Sequence, residues 1–286
     1  MGCRVGHIVQ WMEELAPPVL AADWDQIGLQ FGAADRKVRR VLLALTVTAD
    51  VVEQAARMSA DLIVSHHPLI FRPLTELRWD RPAGALLRAL FETDVAVYAA
   101  HTNFDAAEKG TSEVLARRFA LQGTRTLVPE RAADGAADKA GYGRVGELPE
   151  PMTPEAFLDF VVRRLAVTHV RHNGALPAKV ERVAVMGGSG ASFMAEAARE
   201  GADAYVTGDV KFHDAVDARA LGLWLIDAGH FATERLLLDY WKTYLESRAR
   251  AVDFDLLVAV AQEEDPFHLT LADSAAKEGA QGDSPV

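Results

Sequence analysis

Three clusters of imidazole and carboxylate residues stand out in the chain: Ser65-His66-His67-Pro68, His101-Thr102-Asn103-Phe104-Asp105, and Asp227-Ala228-Gly229-His230-Phe231-Ala232-Thr233-Glu234. Imidazole nitrogen and carboxylate oxygen are donors that Zn, Fe and Mn share. His66, His67, Asp105, His230 and Glu234 therefore read as candidate metal ligands. His230 and Glu234 stand four apart, so on a helix they lie on one face and can close on one ion or bridge two. The adjacent pair His66-His67 can reach one centre only where a strand has ended, because successive side chains of a strand point to opposite faces. Pro68 helps, since it holds His67 extended and breaks the ladder. His101 could ligate or hydrogen-bond a ligating carboxylate; the second reading is adopted, with His101 and Glu234 as candidate catalytic proton carriers. Gly229 lets the backbone approach closely, and Asp227 is placed to orient His230.

Each cluster also has a plain structural reading. The two histidines could sit on the surface at a strand end, Asp105 could cap a helix starting near Lys109, and His230 with Glu234 could be an exposed polar pair at a helix start. Position favours joint ligation, because each cluster directly follows a short apolar run, and three strand ends that all present His with Asp or Glu are hard to obtain from structural needs alone. Two divalent ions among three neutral histidines and two carboxylates leave a net charge of about +2, which attracts anionic substrates. A pair of ions roughly 3.5–4 Å apart lowers the pKa of a shared water and makes hydrolysis the natural reaction class. Two weaker signals accompany these. Met186-Gly187-Gly188-Ser189-Gly190 could cradle a phosphate or form a tight turn, and in Thr207-Gly208-Asp209-Val210-Lys211-Phe212-His213 the side chains of Lys211 and His213 could position or protonate a substrate.

The elements that must carry these residues alternate. Residues 41–45, 62–64, 95–98, 183–185, 204–206 and 223–226 are short apolar runs suited to strands covered on both faces. Helical spacing of apolar residues marks 49–58, 83–91, 112–119, 154–165, 192–199 and 231–250. This alternation predicts an α/β protein with a parallel or mixed sheet. The small, polar, aperiodic stretch from Thr124 to Gly143 reads as a surface loop or an inter-lobe connection dividing an N-terminal α/β part from a second one; the lobes are expected as 1–123 with 222–268, carrying most of the candidate ligands, and 124–221. Residues 269–286 hold too few large apolar side chains to pack and are expected to be a disordered tail.

Bulk properties exclude several classes. The 286 residues contain no apolar stretch of the ~18 residues that would suggest a transmembrane helix. A start without a basic, apolar, small-residue leader leads to the expectation of a cytoplasmic protein. A net charge of −11 disfavours nucleic-acid and anionic-membrane binding, which need clustered Lys and Arg. The single cysteine, Cys3, has no partner for an internal disulfide and is expected to be chemically silent.

Taken in order, Asp23-Trp24-Asp25-Gln26-Ile27-Gly28-Leu29-Gln30, Ser65-His66-His67-Pro68-Leu69-Ile70-Phe71, His101-Thr102-Asn103-Phe104-Asp105, Thr207-Gly208-Asp209 and the Asp227 to Glu234 block closely resemble the NIF-three-like dinuclear metal-centre family. Its members are often labelled GTP cyclohydrolase I type 2 homologues. The resemblance runs from about residue 7 to Phe267 and implies a two-lobed α/β/α fold with mixed sheets, assembled as a toroidal homohexamer, a trimer of dimers. It also implies two divalent metal ions per subunit (Zn, Fe or Mn) on His66, His67, Asp105, His230 and Glu234, with His101 lining the site. The implied activity is hydrolysis of a nucleotide, GTP by the family label; a non-enzymatic metal-binding scaffold, metal handler or regulatory protein is the alternative. Gln26 and Thr46 depart from the family pattern, which usually has Asn at the first position and commonly a carboxylate at the second.

Overall fold

The computed structural model describes residues 2–129 and 140–270. Its first sheet is built from β1 (Gly28–Phe31), β2 (Arg40–Ala44), β3 (Leu62–Ser65), β4 (Ala96–Ala99) and, from the far end of the chain, β11 (Leu257–Val260), in the order β1-β4-β3-β2-β11. The three central strands and β11 run parallel, while β1 closes the edge antiparallel to β4. The second sheet contains β5 (Gln122–Pro129), β6 (Gly141–Met152), β7 (Arg171–His172), β8 (Val180–Ser189), β9 (Ala204–Gly208) and β10 (Trp224–Asp227), ordered β5-β6-β8-β9-β10-β7. There β8, β9 and β10 are parallel and the outer pairings antiparallel.

Both sheets are sandwiched by helices, and the two-residue alternation of strands explains why. In β2 and just beyond it, Val41, Leu43 and Leu45 enter one core with Ile8 and Met12 of α1 (Val5–Leu15) and Trp241 and Leu245 of α10 (Leu236–Ala251). Leu42 and Ala44 enter the opposite core, with Val51 and Val52 of α2 (Ala49–Met58) and Leu90 of α3 (Pro82–Thr93). Between β4 and β5 lie the short α4 (Thr102–Asp105) and α5 (Thr111–Arg118). Leu115 of α5 and Phe157 of α6 (Pro154–Leu165) cover Val183, Val185, Val206 and Ile226. The other face of the second sheet packs Ala184, Tyr205 and Leu225 on Ala197 of α7 (Met194–Arg199) and Ala218 of α8 (Phe212–Ala220). Local signals place the helix starts: Thr48 and Thr153 each cap with the side-chain oxygen, accepting from Val51 and Ala156, and Pro154 follows at the first helical position.

Three sequence expectations are corrected. Thr124 to Gly143 is not a loop at its two ends: Gln122–Pro129 and Gly141–Met152 are paired antiparallel strands, the first a polar, largely exposed edge strand and the second a mostly buried inner strand whose glycines, Arg144 and Glu147 interrupt any apolar run; positions 130–139 fall outside the described residues. Trp224–Asp227 belongs to the six-stranded sheet, beside β9, and Ala228 and Ala232 still pack in that sheet's core, so the chain returns to the first lobe with Leu237, Leu238 and Trp241 and not at 222. The helix read from Phe231 onward begins at His230 and divides into α9 (His230–Glu234) and α10. The tail expected over 269–286 lies almost wholly outside the described residues. Among the described residues no helix is long and apolar enough to cross a membrane. Cys3 is buried in the first core, and that burial pushes its thiol up to about 11, against a smaller opposing effect of the hydrogen bond to the Arg4 carbonyl.

Candidate metal centre

The carboxyl ends of the parallel strands of both sheets face one cleft, the usual location of functional groups in α/β sheets. From the first lobe, β3 ends at Ser65, and the amides of His66 and His67 still bond to the carbonyls of Ala44 and Leu45 (3.1 and 2.8 Å). Their rings then splay, with centroids 5.1 Å apart. His101 follows β4, and Asp105 is the last residue of α4. From the second lobe, Gly229 leaves β10 at φ 87°, and α9 begins at His230. One helical turn aligns His230 with Glu234, whose Nε2 and Oε2 are 3.0 Å apart.

The donor atoms are fixed from behind. His66 is wholly buried and its Nδ1 donates to the carbonyl of Ala100 at 2.9 Å, which leaves Nε2 as the atom facing Asp105 Oδ1 (3.6 Å) and Glu234 Oε1 (3.7 Å). His230 donates from Nδ1 to Asp209 at 2.8 Å, and His101 from Nδ1 to Asp25 at 2.9 Å. A carbonyl or carboxylate can only accept, so each of these rings, when neutral, presents a lone pair at Nε2. His67 is held at Nδ1 by the Thr46 hydroxyl (2.8 Å). Asp105 accepts from the Thr111 hydroxyl at 2.6 Å and is not a helix cap; α5 starts at Thr111 behind Gly110.

Lone pairs therefore converge. Nε2 of His67, Nε2 of His230 and Oε2 of Glu234 stand 3.0–3.3 Å from one another. Ligands placed tetrahedrally about an ion at roughly 2.0–2.1 Å are separated by about 3.3 Å, so the trio has the spacing of a coordination shell. His66, Asp105 and the other oxygen of Glu234 form a second acceptor set, and the ligating atoms of His66, His67 and His101 lie within 4.8 Å of one another. Nε2 of His66 and Oε2 of Glu234 are buried without a hydrogen-bond partner. Buried acceptors left facing one another need a cation between them, either protons or metal. The residues present therefore fit divalent ions.

Electrostatics of the metal-free cluster follow the same logic. Burial pulls the imidazoles of His66 and His230 down, but the carboxylates of Asp105 and Glu234 around the first, and of Glu234 and Asp209 around the second, outweigh it and raise both to about 9. His67 is lowered by burial and by its cationic neighbours, only partly offset by Glu234. Burial acts to raise Glu234, yet the three histidines hold it well below the ordinary carboxylate range. Asp105 is raised by burial against the pull of His66. Burial also acts to raise Asp25, but His101 and Thr102 bring it down to about 2.

All five expected ligands and His101 thus come together, but several supporting roles differ from expectation. Asp227 does not orient His230. Its carboxylate is engaged by Arg171 and by the amides of Gly229 and Val210, and Asp209, held at φ 55°, takes the role. His101 meets Asp25 and not a ligating carboxylate. The expected glycine-rich turn is neither a turn nor a phosphate cradle: Met186 to Ser189 are the end of β8, and the amides of Gly188 and Gly190 are taken by the hydroxyls of Thr233 and Thr207 (3.0 and 2.9 Å). Its glycines instead make room, since a Cβ on Gly188 would stand 2.1 Å from Glu234 Oε1. Lys211 lines a separate cavity of about 300 Å³ with Arg171 and Asp227, and His213 is exposed on α8. Glu263, unremarked in the sequence, accepts from the amides of Leu45 and Thr46 (2.7 and 3.0 Å) and so pins the residue that holds His67. Asp25 and Asp209 lie inside the quoted motifs, which was the available signal for them.

The cluster forms the floor of a cleft of about 600 Å³ whose walls include Trp24, His101, Asp105, Tyr142, Phe193 and Glu234. Fold and site together define a two-lobed α/β protein with a buried histidine–carboxylate cluster between its lobes. Residues 3–266 match the Duf34/NIF3 (NGG1p interacting factor 3) family, and the chain belongs to that family. It is 37% identical over 265 residues to a "GTP cyclohydrolase 1 type 2 homolog" of Nostoc sp., covering 92% of this chain and 97% of the relative. A protein of Streptomyces coelicolor with the same name is 34% identical, with 97% and 99% covered. A crystal structure of a Bacillus cereus protein related to NIF3 superposes with a TM-score of 0.90 at 28% identity, covering 94% of this chain and all of that one.

Proposed function

We propose that the protein is a dinuclear-metal-dependent hydrolase acting on a nucleotide, in the manner suggested by the name GTP cyclohydrolase 1 type 2 homolog that its relatives carry. The observation that carries the proposal is Glu234, whose two oxygens serve two separate acceptor sets: Oε2 with His67 and His230, Oε1 with His66 and Asp105. Two divalent ions bound there would lower the pKa of water and polarise an electrophilic carbon of the substrate. The side chains supply the rest. His66, His67 and His230 present Nε2 with Nδ1 fixed from behind, and Asp105 is steadied by Thr111. His101, held at Nδ1 by Asp25, keeps Nε2 toward the cleft and acts as proton carrier. His and carboxylate donors suit Zn, Fe and Mn alike. In keeping with the family resemblance, the protein is proposed to be cytoplasmic and to assemble as a homohexamer.

The test is to load metal-stripped protein with Zn, Fe or Mn and assay GTP, other nucleotides and small phosphoesters, beside His67→Ala and Glu234→Ala. Metal-dependent turnover lost in both variants is expected. Stoichiometric metal binding without turnover on any substrate would overturn the hydrolase reading in favour of a metal-binding scaffold.

A further inference from the structure

The walls of the cleft above the metal cluster have a chemistry of their own. Trp24 is 59% exposed at its rim, held edge-on by Phe71 (5.8 Å, 69°) and His101 (6.1 Å, 74°). Among the other lining residues, contributed by the second sheet and the segment after β8, Tyr142 and Phe193 stack nearly parallel at 5.8 Å and 11°. An indole this exposed beside a polar cluster leaves apolar area in water, which a ligand's ring would cover. The volume of about 600 Å³ is that of a pocket for a molecule of nucleoside to nucleotide size.

Charge narrows the class. Among the described residues lining this cleft there is no Lys or Arg; beside the metal cluster and His101 its polar walls are the hydroxyls of Thr102, Tyr142, Ser189 and Ser192 and the carboxylate of Asp23. Polyphosphate recognition ordinarily uses Arg and Lys forks or free backbone amides. The amides of Gly188 and Gly190, next to the lining residues Gly187 and Ser189, are already spent on Thr233 and Thr207, and Arg171 and Lys211 line a different cavity. Hydroxyls and a carboxylate instead match the N–H and C=O edge of an uncharged heterocycle.

We infer that this cleft recognises a flat, uncharged heteroaromatic ring, with Trp24 and the Tyr142–Phe193 pair as the residues that select it, and that its protein walls add no phosphate site to the metal centre. The inference rests on the reading of the cleft as the substrate pocket of the metal centre. It makes the base of a nucleotide the part that the walls hold, and it makes the free nucleoside a ligand in its own right.

Equilibrium dialysis of the metal-loaded full chain against guanosine, GTP and inorganic triphosphate tests this. Guanosine is expected to bind without any phosphate, and inorganic triphosphate to bind Trp24→Ala as it binds the wild type. Trp24→Ala is expected to weaken guanosine binding at least about tenfold, in line with the 1–3 kcal/mol of a base–aromatic stack, with metal content unchanged and most affinity restored in Trp24→Phe. Guanosine affinity unaltered in Trp24→Ala, triphosphate weakened as much as guanosine in that variant, or no binding of guanosine at all would each overturn it. Because binding is read without turnover, a failed hydrolase assay leaves this result standing on its own.

Discussion

Loading the cluster with metal should expel protons, and the number follows from the geometry. In the metal-free protein His66 and His230 are raised to about 9, because each faces carboxylates that burial has deprived of water. At pH 7.5 a group with that pKa is roughly 97% protonated, whereas His67, lowered by burial, is neutral. A divalent ion needs the neutral imidazole, so saturation at pH 7.5 should release about two protons from these two rings, plus whatever Asp105, raised by burial, still holds. Apparent affinity must then fall as pH drops below about 9, by up to tenfold per pH unit for each proton displaced. The assay is calorimetric titration with Zn at pH 7.5 in buffers of different ionisation enthalpy, where the slope of observed heat against buffer enthalpy counts protons. A slope of about two or more, with Asp105 and metal-bound water adding to the two rings, supports the cluster as described. A slope near zero would refute it, since it would mean that the histidines are neutral before metal arrives and that the carboxylates do not act on them.

Other expectations concern the groups behind the ligands. Asp209→Asn should lower metal affinity about 10–100-fold with little loss of fold stability, as Asp209 is half exposed and its bond to His230 Nδ1 is its main contact; competition with a chromophoric chelator measures it. Gly188→Ala should both strain a φ of 65° and drive a methyl to 2.1 Å from Glu234 Oε1, destabilising the chain by about 1–3 kcal/mol in denaturant titration and lowering metal stoichiometry. Glu263→Gln should destabilise by about 1–2 kcal/mol, because an amide offers only one acceptor to two amides. Its effect on metal affinity should vanish in a Thr46→Val background, since Glu263 reaches His67 only through Thr46; equal effects in both backgrounds would show that it does not act on the site.

The ligands were legible because their information is local. His66 and His67 follow a run of buried apolar residues, and His230 and Glu234 are one helical turn apart, so spacing alone places them. Their supports are not local. Asp25 meets His101 across 76 positions, Asp209 meets His230 across 21 and Glu263 meets Thr46 across 217, and only the folded chain brings these pairs together. Asp227 was the nearer carboxylate in sequence, yet Arg171 and two backbone amides occupy it. The fold shows the same division. The buried parallel strands announce themselves as apolar runs, whereas the edge strands β5 and β1 are half exposed, and the buried antiparallel β6 is broken up by glycines, Arg144 and Glu147, so none of the three carries a readable apolar run. The glycines at 187–190 suggested an anion site for a sound reason, but their smallness serves the Glu234 side chain and leaves two of their amides with hydroxyl partners.

The central claim is that one carboxylate, Glu234, joins two acceptor sets into a single two-metal centre. Anomalous diffraction from crystals grown with Zn tests it most directly. Two peaks roughly 3.5–4 Å apart are expected, one among His67, His230 and Glu234 Oε2 and the other among His66, Asp105 and Glu234 Oε1. A single peak, or none touching Glu234, would contradict the account.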